Sequence, residues 1–245
     1  MEPLRFSQLK MMAKSPAHYR HYVDHDSKSS PSMQLGSATH AILLGQPHVL
    51  YEGIRRGKKW DAFKEENPDK LIMIQSELDT AGAMAKSVER SPRAMELLQG
   101  TVEQTIFWEN GPRECRGTPD VRSGSRIVEL KTCRTSEPER FQRAAISYAY
   151  HAQLAWYLEG VRLSGLGTPH QAFIVAVESS APYPVTVHCL SDRTLDMGQR
   201  LCRIWLERLR VCEDANYWPG YVESEVSFDS EDELRLTIDG EELIT

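Results

Sequence analysis

The sequence predicts an α+β fold, sandwich-like in its layering, with a central mixed β-sheet of about five strands flanked by helices. Apolar residues recur at helical spacing up to about residue 100, short alternating runs begin at Val102, and helices alternate with strands after Ser136. A chain of 245 residues is long enough to bury a substantial core in one domain. We place that domain at residues 1–220, with a helical part to about residue 100, a core over about 101–215, and a tail at 221–245.

Each element has a local reason. Ser7 is positioned to cap a helix over Gln8–Lys14, and Ser15-Pro16 opens a second one with proline at its first turn. Asp24–Ser32 is a polar loop, and Met33–Leu44 has helical apolar spacing that turns His40 toward the packed face. Ser76–Leu98 is helical, with a restart at Pro92. Val102–Asn110 alternates as a strand and Asn110-Gly111 marks a turn; Glu114–Val121 and Arg126–Thr132 follow as strands. Ser136–Ser147 and Tyr148–Val161 are helices, Gln171–Glu178 and Pro184–Leu190 are strands, and Ser191–Ala215 is a long amphipathic helix built on Leu195, Leu201, Trp205 and Leu209.

Composition narrows the function classes. No apolar run is long enough to span a bilayer and no signal peptide is expected. Five cysteines without C-x-x-C spacing argue against a disulfide framework and against a zinc or iron–sulfur site, so a reducing cytoplasm is the expected setting. The formal charge is −6, but residues 221–245 hold nine acids against Arg235 alone, a local −8 that leaves residues 1–220 at +2. A mildly basic body with a segregated acidic tail is compatible with a nucleic-acid partner, because local fields steer binding. Ile54–Lys59, with Arg55, Arg56, Lys58 and Lys59 between Tyr51 and Trp60, is either a solvated loop or a phosphate-contacting arm.

The chemistry concentrates at Glu114–Thr132. Residues two apart on a strand share a face, so Glu129 and Lys131 point the same way. The turn at Arg122–Ser125 lets Asp120 return beside them on an antiparallel partner. Two carboxylates and a lysine at one point suit a divalent cation and a phosphodiester: Mg²⁺ prefers a few carboxylates plus water and phosphate oxygens. Asp120, Glu129 and the Leu130 main-chain carbonyl are candidate metal ligands, and Lys131 is the candidate to orient a water or neutralise phosphate charge. The bare pattern arises by chance in roughly one chain in ten to twenty, and a surface hairpin with a Glu–Lys pair is its bland alternative.

Context favours the chemical reading. Pro119-Asp120…Glu129-Leu130-Lys131 resembles the signature of the PD-(D/E)XK nuclease superfamily, and its RecB-like branch of RecE-type exonucleases (exonuclease VIII and phage relatives) more closely still. The similarity extends to Ser7-Gln8-Leu9-Lys10 with Ser15-Pro16-Ala17-His18-Tyr19, to Leu35-Gly36-Ser37-Ala38-Thr39-His40, and to Tyr150-His151-Ala152-Gln153 through Tyr157. Trp60–Phe63 and Val102–Trp108 also resemble family segments, and the matches run in order from about Ser7 to Gly160. Glu129 stands where many relatives have Asp.

The resemblance implies a PD-(D/E)XK core, Lys131, Glu129 and Asp120 in catalysis, His40 at the metal, and Gln153 and Tyr157 flanking the substrate. Glu103 is a further metal candidate, with a solvent-facing strand residue as its alternative; Thr132 either hydrogen-bonds within the site or favours the strand. It further implies a Mg²⁺-dependent 5′→3′ exonuclease on double-stranded DNA ends, with Mn²⁺ able to substitute. Such an enzyme leaves 3′ tails for a single-strand annealing recombinase, works as a homo-oligomeric ring, and acts in the cytoplasm of a bacterial or phage-infected cell. A structure-specific or single-strand nuclease of the same fold, or a catalytically inactive DNA-binding or assembly protein, are the alternatives.

Overall fold

The structure is a computed structural model that describes residues 2–25, 30–222 and 224–226, together with the backbone of 235–238 and 241–244. The chain opens with β1 (Leu4–Arg5) and α1 (Phe6–Leu9), continued by a 3₁₀ turn at Lys10–Ala13. The expected Ser7 cap is not used: the Arg5 N–H donates to Gln8 Oε1 at 2.9 Å, so the helix starts earlier, on a glutamine cap. Ser15 does cap α2 (Pro16–Asp24), accepting from the His18 N–H. Ser30 caps α3 (Pro31–Leu43) in the same way.

A small β-α-β unit follows, with β2 (His48–Leu50) and β3 (Leu71–Met73) parallel and α4 (Lys58–Glu66) between them. Next come α5 (Gln75–Glu89) and α6 (Pro92–Leu97), divided where the proline was expected to restart the helix.

Two expected strands are each broken in two. Val102–Asn110 divides into β4 (Thr101–Val102) and β5 (Ile106–Asn110), because Glu103 adopts φ +44°, outside any strand conformation. Glu114–Val121 divides into β6 (Arg113–Gly117) and β7 (Val121–Arg122), because Pro119 has no N–H to continue a ladder. The pieces feed different sheets: β1, β6 and β5 form one of three strands, while β4 and β7 join the central sheet.

That sheet has the order β10-β9-β8-β7-β4, with β8 (Arg126–Cys133), β9 (Gln171–Glu178) and β10 (Val185–Cys189). Only the β8–β9 pair is parallel, so the sheet is mixed as expected. The crossover between them carries α7 (Pro138–Ser147) and α8 (Tyr150–Leu163), and α9 (Asp192–Ala215) closes the layer on α8. A hairpin of β11 (Arg235–Ile238) and β12 (Glu241–Ile244) lies in the acidic tail, of which residues 223, 227–234, 239–240 and 245 fall outside the described residues.

Alternation assigns the core. Ile127, Ala172, Ile174 and Ala176 pack with α8 and α9 residues such as Leu154, Trp156, Trp205 and Leu209. Val128, Leu130, Phe173, Val175 and Val177 pack on the other face with Met84, Val88 and Leu97. By the same period, Glu129 and Lys131 belong to the α8 side.

Candidate active site

The β7–β8 hairpin builds the centre. Its register pairs Val121 with Val128, so the next positions outward set Asp120 against Glu129. The Asp120 N–H donates to Glu129 Oε1 at 3.2 Å, and the Leu130 N–H donates to Asp120 Oδ2 at 2.7 Å. Both carboxylates are deep: Asp120 is 8% exposed and Glu129 is 2% exposed. Lys131 turns to the same side as Glu129 and places Nζ 2.5 Å from its Oε2. The Tyr150 ring lies under that ammonium, 5.0 Å from nitrogen to ring centroid.

Charges this deep settle one another. Burial works against the Lys131 ammonium, yet Glu129 and Asp120 outweigh it and hold the lysine protonated to higher pH than usual. Burial, then the Asp120 charge, push Glu129 upward. Asp120 is also penalised by burial, but His40, Lys131 and the Leu130 N–H bring its carboxyl below the ordinary value. The pair titrates as a unit, so no separate protonation role is assigned to either.

His40 arrives on α3. Its Nε2 donates to the Leu130 carbonyl at 2.9 Å and its Nδ1 lies 3.4 Å from Asp120 Oδ1. Burial opposes the imidazolium, but the Asp120 carboxylate more than compensates and the histidine titrates above its usual range. Glu103 completes the cluster from the break between β4 and β5, tied there by its N–H donating to the Asp120 carbonyl at 3.0 Å. A non-glycine residue at positive φ costs about 1–3 kcal/mol, a cost often carried at functional sites. Burial and the neighbouring Asp120 raise the Glu103 carboxyl.

Whether a cation fits can be tested on the donors. His40, Glu103 and Asp120 each offer a ligand atom, and all three atoms lie within 4.8 Å of one another. Ligands about 2.1 Å from Mg²⁺ sit about 3–4 Å apart, so a small inward shift closes the set. One imidazole and two carboxylates suit a divalent cation, and a cation between the two acids would relieve their mutual repulsion. The structure brings three of the expected ligand residues together. His40 and Asp120 are in this group, Glu103 joins them, and the Leu130 carbonyl is bound to His40. Glu129 is not: one oxygen accepts from Asp120 and the other holds Lys131.

From α8, Gln153 Nε2 donates to Tyr157 Oη at 3.0 Å. Tyr157 is buried against Gly117, where a β-carbon would come within 2.6 Å of its ring. Both side chains line a cleft of about 380 Å³ with Arg5, Ser7, Lys10, Arg116 and Thr118. Pairing of β1 with β6 sets Arg5 beside Arg116. Burial first, then Lys131, lowers the Lys10 ammonium, so this second lysine shares the field of the centre. None of these three cations was singled out by sequence; Lys10 stood in the S-x-L-K run without a role.

The basic arm divides in two. Arg55 turns inward, donating to both Glu77 oxygens, to Gln34 Oε1 and to the Ile72 carbonyl, so it ties the β2–α4 loop to α3 and α5. Arg56, Lys58 and Lys59 are exposed. Thr132 rests against Gly36.

A mixed sheet whose hairpin sets an aspartate against a glutamate, with a lysine two residues on, defines the PD-(D/E)XK class. The chain belongs to the family described as the PDDEXK-like domain of unknown function (DUF3799), whose model matches residues 5–229. A candidate exonuclease from Eubacterium rectale shares the fold at a TM-score of 0.66 and 16% identity, over 92% of this chain and 91% of its own. The exonuclease of Laribacter hongkongensis in complex with dAMP matches at 0.41 and 12%, over 87% and 93% of the two chains. A phage-related exonuclease from Haemophilus somnus 129PT matches at 0.39 and 12%, over 87% and 96%. No curated protein matches the sequence.

Proposed function

We propose that this protein is a Mg²⁺-dependent exodeoxyribonuclease that degrades linear double-stranded DNA 5′→3′, leaving 3′ tails for a single-strand annealing partner. The observation that carries the nuclease reading is the convergence of His40, Glu103 and Asp120 beside the Lys131–Glu129 pair. A bound divalent cation supplies Lewis acidity to the scissile phosphate and acidifies a water molecule. Asp120, His40 and Glu103 would hold it, and the Leu130 carbonyl, as acceptor from His40 Nε2, would fix the imidazole's orientation. Lys131 offsets charge building on the phosphate, and Glu129 with the Tyr150 ring keeps its ammonium in place. Arg5, Lys10 and Arg116 draw the DNA backbone toward Gln153 and Tyr157. End polarity, the annealing partner, a closed ring around DNA and the bacterial or phage-infected cytoplasm rest on the resemblance to RecE-type enzymes. In the same reading, residues 1–220 are one nuclease domain and 221–245 an acidic tail kept away from the DNA.

The test is digestion of linear duplex labelled separately at each 5′ and 3′ end, with Mg²⁺ and with EDTA. Release of 5′ label as mononucleotide, abolished by EDTA and by Lys131→Ala, is the expected result. Rapid nicking of closed circular duplex would move the assignment to an endonuclease, and preference for single strands to a single-strand nuclease. DNA binding without any cleavage would leave an inactive binding or assembly protein.

A further inference from the structure

The helix α9 carries two stripes with the same spacing. Leu195, Gly198, Cys202, Trp205, Leu209 and Cys212 alternate in steps of three and four and are all buried. This face packs on α8 and α1, with Trp205 against Phe6 at 6.4 Å between ring centroids. Two residues further along, about 200° around the helix, runs a second stripe: Arg193, Met197, Arg200, Ile204, Glu207, Val211 and Asp214. Every one of these is exposed, including Met197 at 42%, Ile204 at 55% and Val211 at 59%.

Scattered apolar residues on a surface mean little. This stripe differs in two ways. Its apolar members fall at every seventh position, the repeat that keeps a seam facing a partner helix. Its charges are sorted by sign, with both arginines in the first half and both acids in the second. Among the described residues, none of the four makes an ion pair or side-chain hydrogen bond within the chain, whereas the surface pairs Arg162–Glu159 and Arg93–Glu96 do.

We propose that this stripe is a two-fold seam for a second copy of the same chain, with the two α9 helices antiparallel. An antiparallel dyad at Ile204 sets Ile204 on its own copy and Met197 opposite Val211. It also brings Arg200 to Glu207 and Arg193 to Asp214, within one residue of axial rise, about 1.5 Å. A parallel arrangement would set arginine on arginine and acid on acid. DNA would meet attraction in the first half and repulsion in the second. A seam of this length runs about 32 Å along the helix. Such a contact is isologous and satisfies itself in a pair. It is therefore separate from any ring contact, and it does not depend on the nuclease assignment.

The full chain is measured by sedimentation velocity from about 1 to 100 µM, a span that brackets moderate affinities. Ile204→Glu is expected to halve the mass while keeping the wild-type far-UV circular dichroism, and its melting temperature should no longer rise with protein concentration as that of an associating wild type does. Arg200→Glu and Glu207→Arg should each shift dissociation to higher concentration, and the double variant Arg200→Glu/Glu207→Arg should regain wild-type association, because the swapped charges again face each other across the dyad. A wild type that stays monomeric throughout overturns the proposal. So does an unchanged mass for folded Ile204→Glu, or a double variant as weak as either single one. If Ile204→Glu does not fold, the charge series decides alone.

Discussion

Gly36 rests on Thr132 so closely that a β-carbon on the glycine would lie 3.2 Å from the threonine hydroxyl oxygen. One helical turn later His40 reaches the Leu130 carbonyl, two residues back along β8. The glycine thus sets how near α3 comes to the strand, and that spacing sets the histidine. Gly36→Ala asks its neighbour to give only a few tenths of an ångström and gains about 0.8–1 kcal/mol of helix propensity, so its melting temperature should equal or exceed wild type. Gly36→Val presses a branched side chain on Thr132. We expect its Mn²⁺ affinity, read by calorimetry, to fall at least about tenfold, or about 1.4 kcal/mol. Wild-type affinity in the valine variant would show that His40 does not depend on this contact.

Lys131 and Glu129 are expected to respond as a unit. Removing the ammonium in Lys131→Met leaves a carboxylate that is 2% exposed without its counter-charge, a change that costs about 3–5 kcal/mol in buried pairs. Glu129, pushed upward by burial and Asp120, takes up a proton instead and limits that loss. The sign follows. In the variant the folded chain keeps this proton at pH values where the unfolded chain, with an ordinary carboxyl near about 4.3, has released it. Stability therefore falls as pH rises from about 4.3 through the folded value. Lys131→Met/Glu129→Gln should melt higher than Lys131→Met at neutral pH and lose this dependence. Both variants should be slowed on linear duplex by about 10²–10³-fold. Identical pH profiles for the single and double variants would sink the account.

Tyr150 presents its ring to Lys131, while Phe141 and Tyr148 pack near it at 6.4 and 5.7 Å between centroids. A cation–π contact of about 1–2 kcal/mol corresponds to about five- to thirty-fold in rate if it is used wholly in the transition state. The aromatic face, not the hydroxyl, does the positioning. Tyr150→Phe should keep kcat, whereas Tyr150→Leu should lower kcat with KM little changed. Equal losses in the two variants would assign the effect to the hydroxyl.

Much of this centre could be read from the chain because its parts are local. Alternation placed Glu129 and Lys131 together, the turn at Arg122–Ser125 returned Asp120 to them, and proline marked the breaks before α2 and α6. The failures have physical causes too. A positive φ at Glu103 leaves no trace in composition, so an alternating run read as one strand where two sheets part company. Arg5, Lys10 and Arg116 meet only because β1 pairs with β6, and no periodicity announces a parallel pairing between segments so far apart. Arg55 looked like its basic neighbours, since the glutamate that claims it lies on α5, 22 residues further along the chain.

That last case yields a contrast between neighbours. Arg55 donates to both oxygens of Glu77, which also accepts from the Ile74 N–H at the start of α5. Both side chains are mostly buried, so Arg55→Ala strands a carboxylate and frees a loop. Loss of charged hydrogen bonds of this kind costs about 1.5–3 kcal/mol, or about 2–4 °C of Tm for each kcal/mol in a chain this size. Arg56, Lys58 and Lys59 have no such duty. If they meet the DNA backbone, replacing all three with alanine should leave Tm within about 1–2 °C, since exposed sites contribute little. It should also flatten the log–log salt dependence of duplex binding by about 1–3, because each lost phosphate contact removes about 0.9 from the slope. Arg55→Ala should leave that slope unchanged while lowering Tm. A salt slope that Arg55→Ala flattens and the triple variant does not would return Arg55 to the phosphate and make its ion pair with Glu77 a resting contact that DNA displaces.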